Sequence, residues 1–157
     1  MGEILGKSIQ SATSSVLLIG GFIVIFSVIL SICQQSGLLD VISQMVTPMT
    51  SYIGIPSVLL KPLLSGLIEL TNGVNLVATT PIKAISFNMI GCAFLLGFGG
   101  ICVLLQVFSI TSKAHLSIKK YVIGKLLQGT FAALYTALAF AILPSIRLDL
   151  ACTIFKL

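Results

Sequence analysis

Charge is what this sequence has least of. Only 8% of its 157 residues are charged, with four acids, nine basic residues and one histidine, and there is no tryptophan. A soluble domain carries about 25% charged residues, so a soluble globular chain is excluded. The four cysteines, at positions 33, 92, 102 and 152, form no C-x-x-C pair. With one histidine they offer no zinc spacing, and they read as small hydrophobes rather than a disulfide framework. No metal and no cofactor is expected. Without a paired carboxylate, a His beside an acid or a Ser-His arrangement, an enzyme is not expected either. Without tryptophan, an aromatic belt at the membrane interface falls to Tyr52, Tyr121, Tyr135 and phenylalanines.

What is present is apolar. Hydrophobic residues make up 57% of the chain, and the mean hydropathy is +1.15. This predicts an all-α integral membrane protein, with room for roughly four or five elements of ~20 residues. The net charge of +5 belongs to cytoplasmic loops and lipid headgroups, not to nucleic acid. The first apolar run is too long for a signal peptide, and no small-residue cleavage site follows it.

Residues 1–13 suit a short interfacial helix, and 16–33 a first span in which Gly20 and Gly21 allow close helix approach. Over 38–52 the apolar positions Leu38, Val41, Ile42, Met45, Val46, Met49 and Tyr52 recur at helical spacing. That pattern predicts an amphipathic helix, kinked or cut at Pro48. Gly54-Ile55-Pro56 makes a turn, and Ser57 is placed to cap a second short helix reaching about Leu70. Both helices are too short to span, so a re-entrant hairpin near 38–72 is expected. Such a hairpin is tolerated at depth only inside protein or along a cavity.

Glu69 dominates this stretch, as the one acid inside an apolar segment. A carboxylate at membrane depth costs at least ~2.5–3.5 kcal/mol, which makes its default reading functional. Ser65, Glu69 and Asn72, at i, i+4 and i+7, share a helix face. Thr71-Asn72-Gly73 is expected to break the helix after the acid, and 73–83 to be a polar connection. The long run 84–112 contains Gly97-Phe98-Gly99-Gly100. This predicts a broken helix with halves near 84–96 and 101–112, the alternative being a packing surface. The basic loop 111–120, with Lys113, His115, Lys119 and Lys120, should be cytoplasmic. The last span, 121–143, carries a seam of Gly129, Ala133, Ala137 and Ala141 and ends at Pro144. If 38–70 returns to the side it left, the N-terminus is cytoplasmic too.

Three stretches carry a family resemblance: Gly20-Gly21-Phe22-Ile23-Val24 with Phe26-Ser27-Val28, residues 66–73, and Gly97-Phe98-Gly99-Gly100 with Gln106-Val107. Together they resemble the C-terminal half of the YlbJ family of sporulation integral membrane proteins, which carry the nucleoside-recognition, or Gate, domain. That family is in turn similar to concentrative nucleoside transporters. The resemblance implies a repeat of one span, a re-entrant hairpin carrying a site glutamate, a broken helix and a further span. Glu69 matches the glutamate, and Phe98 through Val103 match the pocket-lining break. It also implies movement of a small solute such as dipicolinate or a nucleoside-like compound across a bacterial membrane such as that of the forespore, in longer chains with two such repeats. The family's Trp and His near the break are replaced here by Phe98 and Val103-Leu104-Leu105.

The expected site residues are Ser65, Glu69, Thr71, Asn72, Phe98, Gly99 and Gly100. The expected partners are a small-molecule solute, the lipid bilayer, and a second copy or a complementary half-transporter chain. A non-transporting scaffold of the spore envelope is the alternative.

Overall fold

A computed structural model describes residues 1–52, 54–82, 84–111 and 118–142. Lys83, Lys113 and His115, and the tail with Pro144, Arg147, Asp149, Cys152 and Lys156, lie outside the described residues. Among the described residues seven α-helices follow in order: α1 (Gly2–Gln35), α2 (Leu38–Ser51), α3 (Leu60–Ile68), α4 (Leu70–Thr79), α5 (Ile85–Phe98), α6 (Gly100–Thr111) and α7 (Ile118–Ile142). Among the described residues there is no strand. Three stretches are long and apolar enough to cross a membrane: Gly2–Gln35, Ile85–Thr111 and Ile118–Ile142.

The expected interfacial helix over 1–13 is not separate. α1 runs unbroken for 34 residues, because nothing between its polar start and its apolar body is a helix breaker. Its length of about 51 Å exceeds the ~30 Å hydrocarbon core, so its first turns project beyond it. Gly20 and Gly21 meet no neighbour within 4 Å of an added Cβ. Their expected role in close approach is therefore not used among the described residues. Nor is α2 cut at Pro48. It continues to Ser51, and the Thr50 and Ser51 hydroxyls bond back to carbonyls in the same turns. The expected Ser57 cap is replaced by a 3-10 turn, Ser57–Leu59, without a side-chain cap bond.

The largest departure concerns the hairpin. Gly54–Pro56 joins α2 to α3, but the chain reverses again at Glu69, between α3 and α4. Three pairings show that these two helices run antiparallel. The Gly73 α-carbon lies so close to Gly66 that a Cβ there would overlap the Gly66 backbone. Pro62 and Leu76 line one cleft. Leu59 and Val77 share the buried core cluster with Leu95. Two facing glycines let the backbones touch, and that contact makes so tight a hairpin possible. Thr71-Asn72-Gly73, expected to break the helix, instead opens α4. The expected polar connection 73–83 is helical as far as Thr79.

Asn88 fixes the far end of α4. Its Nδ2 donates to the carbonyls of Val77 (2.7 Å) and Thr80 (2.8 Å), acceptors at the α4 C-terminus. The end of α4 and the start of α5 therefore lie on one face of the molecule. α7 packs antiparallel on α5, with Gly97 against Gly129 and Ala133 beside Phe94 across an apolar groove. This contact uses the expected small-residue seam, and a Cβ on Gly97 would stand 2.7 Å from the Gly129 α-carbon. Gly97 thus serves packing. The break itself narrows to Gly99 (φ 91°) and Gly100 (φ 73°), a left-handed pair that glycine alone adopts without cost.

Candidate functional site at the hairpin tip

Glu69 is the hinge of the hairpin. Its backbone leaves the helix (φ −133°, ψ 116°), and its side chain turns back to cap the helix that follows. Oε1 accepts from the Thr71 N–H at 2.9 Å, and Oε2 from the Asn72 N–H at 2.8 Å. These are two of the orphan donors of a helix N-terminus, and the positive end of the α4 dipole adds to the stabilisation of an anion there. Glu69 is 1% exposed. The cap compensates the cost of its burial, since charge-assisted N–H bonds are about twice as strong as neutral ones.

The tip meets the break in the long span. A Cβ on Gly100 would stand 2.9 Å from the Gly66 carbonyl oxygen and 3.5 Å from the Leu70 nitrogen. Gly99 and Gly100 lie near the middle of the Ile85–Thr111 stretch, so the hairpin tip lies at mid-depth. Four helix ends converge there. α3 and α5 end at the site, and α4 and α6 begin at it. Irregular backbone at this depth is stable only when it is surrounded by protein or lines a cavity.

The expected site residues are only partly brought together. Glu69, the backbones of Thr71 and Asn72, and Gly100 form the tip. Ser65 is fully buried one turn earlier, and its hydroxyl donates to the Lys61 carbonyl rather than to Glu69. The expected shared face of Ser65, Glu69 and Asn72 does not exist, because the helix ends at Glu69. The Thr71 and Asn72 side chains are exposed, and Asn72 Nδ2 donates to the Ser27 hydroxyl of α1 at 3.3 Å. Phe98 belongs to the α7 side. Its Cβ lies against Gly129, and its ring stacks on Phe94 at 6.1 Å between centroids.

Several polar residues were not anticipated. Asn88 and Gln106 are buried within apolar stretches, a signal as plain as that of Glu69. Asp40 and Lys61 pair at 2.7 Å across α2 and α3. Lys125 of α7 donates to the Gly97 carbonyl at 3.2 Å, a cation placed at the end of α5 where the helix dipole favours it. Among the described residues no three of His, Cys, Asp or Glu come together.

The fold and site define a helical membrane protein built on a hairpin and a broken helix that meet at mid-depth. The nucleoside-recognition (Gate) family model matches residues 16–148, and the chain belongs to that family. It is 36% identical over 138 residues to the sporulation integral membrane protein YlbJ of Bacillus subtilis (strain 168), a match covering 88% of this chain and 34% of the relative. The chain therefore spans about a third of that relative's length, less than the half implied by the resemblance. No solved structure matches.

Proposed function

We propose that this chain is part of a transporter for a small polar or anionic solute in a bacterial cell membrane, with Glu69 as the coupling group. The carrying observation is the buried carboxylate at the N-terminus of a helix that starts at mid-membrane, beside a second helix break. Transporters place substrate and ion sites at such discontinuities. A carboxylate does not suit an anion directly, so its role is with a proton, a cation or a neutral part of the solute. Likeness to a sporulation protein supports action in spore formation at a forespore membrane, with dipicolinate or a nucleoside-like compound as the first solutes to assay. No covalent chemistry is assigned to the chain. In Glu69→Gln, uptake or spore solute content at matched membrane levels should fall by more than about tenfold. Leu67→Ala, a cavity variant near the tip, should alter stability more than transport. Unchanged transport in the Gln variant removes Glu69 from the mechanism.

One observation favours a second reading, a non-transporting scaffold in spore envelope formation. Both carboxylate oxygens are already used in capping α4, a purely structural task. On that reading the α5–α7 seam matters, and Glu69→Gln costs no more than one cap bond, ~1 kcal/mol.

The reading also requires a partner, because a site closed by one repeat lacks its opposite wall. A second copy or a complementary chain supplies it, and crosslinking in native membranes should trap the pair. A stable monomer recovered without partner counts against it. The basic residues near 111–120 support a cytoplasmic position for that connection. α1 begins on the same face, so the N-terminus is assigned there as well. A cysteine at position 5 should then resist an impermeant thiol reagent added from outside, and modification would reverse the orientation.

A further inference from the structure

One set of polar side chains at membrane depth is gathered on a single face. α4 starts at the hairpin tip and ends where α5 begins, a rise of about 15 Å, or half the hydrocarbon thickness. Gly73 and Val77 are its buried side. Thr71, Asn72, Asn75 and Thr79 are exposed and occupy the opposite side. The surface continues onto α1 through the Asn72–Ser27 bond. One turn beyond Ser27 is the exposed Ser31, and beyond that Gln34. Gln34 lines a cleft of about 250 Å³ with Lys61, Pro62, Ser65 and Leu76, and Lys61 also pairs with Asp40 of α2.

Lipid cannot cover this face at low cost. The Asn75 side-chain amide has no hydrogen-bond partner among the described residues, and an unpaired amide costs about 4–8 kcal/mol on transfer from water to hydrocarbon. Two other exposed patches are of a different kind. Val24, Ile25 and Val28 of α1, and Leu134 and Leu138 of α7, are apolar and suit acyl chains.

We propose that Ser27, Ser31 and Gln34 of α1, with Asn72, Asn75 and Thr79 of α4, form one wall of a water-filled passage. It leads from the membrane face bearing the Lys61–Asp40 pair to the hairpin tip at Glu69. The wall offers hydroxyls and amides and, apart from that ion pair, no charge, so it suits small hydrophilic solutes rich in hydrogen-bonding groups. The inference deepens the transport reading but is tested without any solute, so the two can fail separately.

The test uses a chain with Cys33, Cys92, Cys102 and Cys152 replaced by alanine, in permeabilised native membranes. Single cysteines are placed at Ser31, Asn75 and Thr79, with Val24 and Leu134 as lipid-facing controls. A cationic methanethiosulfonate should modify the first three at least about tenfold faster than the controls, because the reactive thiolate forms only in a hydrated site. Equal rates overturn the proposal. So does a disulfide between copies at Asn75→Cys without reagent labelling, which would make the face a subunit interface. If the cysteine-free chain does not accumulate, the same rates are read in the native background against the unsubstituted chain.

Discussion

Gly73→Ala should remove the protein from the membrane fraction. The added methyl would fall on the Gly66 backbone. A clash with the far end of a side chain can be relieved by a rotamer change, but a clash with backbone cannot. The antiparallel helices would have to separate along their whole length. Separation takes Val77 from Leu59, opens the core cluster around Leu95 and weakens the Asn88 bonds to the end of α4. Overpacking alone costs ~1–3 kcal/mol, and here the value lies at or above the top of that range. Gly20→Ala is the comparison, since nothing lies within 4 Å of its added Cβ. Thermal aggregation in mild detergent, with membrane level as a second readout, checks the pair. If Gly73→Ala matches Gly20→Ala in both, the helices do not meet as described.

That contact explains what could be read from the sequence and what could not. The apolar runs and the Gly97–Gly100 interruption are local signals, and they placed the apolar part of α1, the broken span and α7. Glu69 stood out because a lone acid in an apolar segment has few explanations. The direction of the chain after Glu69 was not legible. Ser65, Glu69 and Asn72 fit one continuous helix face, and Gly66 and Gly73, seven residues apart, look like ordinary packing positions. Two things decide the reversal. One is the close approach of those glycines, which is a tertiary contact. The other is a cap by glutamate, whereas the common caps are Ser, Thr, Asp and Asn. Thr71 and Asn72 looked like breakers for the same reason, since their side chains favour capping positions. Here they donate only backbone N–H groups to a cap made by the residue before them.

Recognition of the site also depended on a distinction between adjacent glycines. Gly97, Gly99 and Gly100 form one run in the sequence but perform three tasks: packing on Gly129, turning the chain, and receiving the hairpin tip. Only contacts from other helices separate them.

The second large effect follows from that separation. Gly99→Ala and Gly100→Ala both place a side chain at positive φ, at 91° and 73°, and each carries roughly 1–2 kcal/mol of left-handed strain. Their surroundings differ. At Gly99 the new Cβ meets the Val103 side chain at 3.4 Å, an ordinary contact. At Gly100 it meets the Gly66 carbonyl oxygen at 2.9 Å and the Leu67 carbonyl oxygen at 3.4 Å. Both oxygens are backbone atoms of the hairpin tip, and they can move only if the tip moves with the Glu69 cap that follows it. Gly99→Ala should therefore lower the melting temperature in detergent and keep most of the transport per folded molecule. Gly100→Ala should lower the melting temperature further and reduce solute uptake at matched levels by about tenfold or more, the effect of a displacement near 1 Å at a positioned site. Equal losses of stability and equal uptake in the two variants would show that the break and the hairpin tip are not in contact. A Gly100→Ala chain that is less stable yet transports normally would leave the contact structural and move the solute path elsewhere.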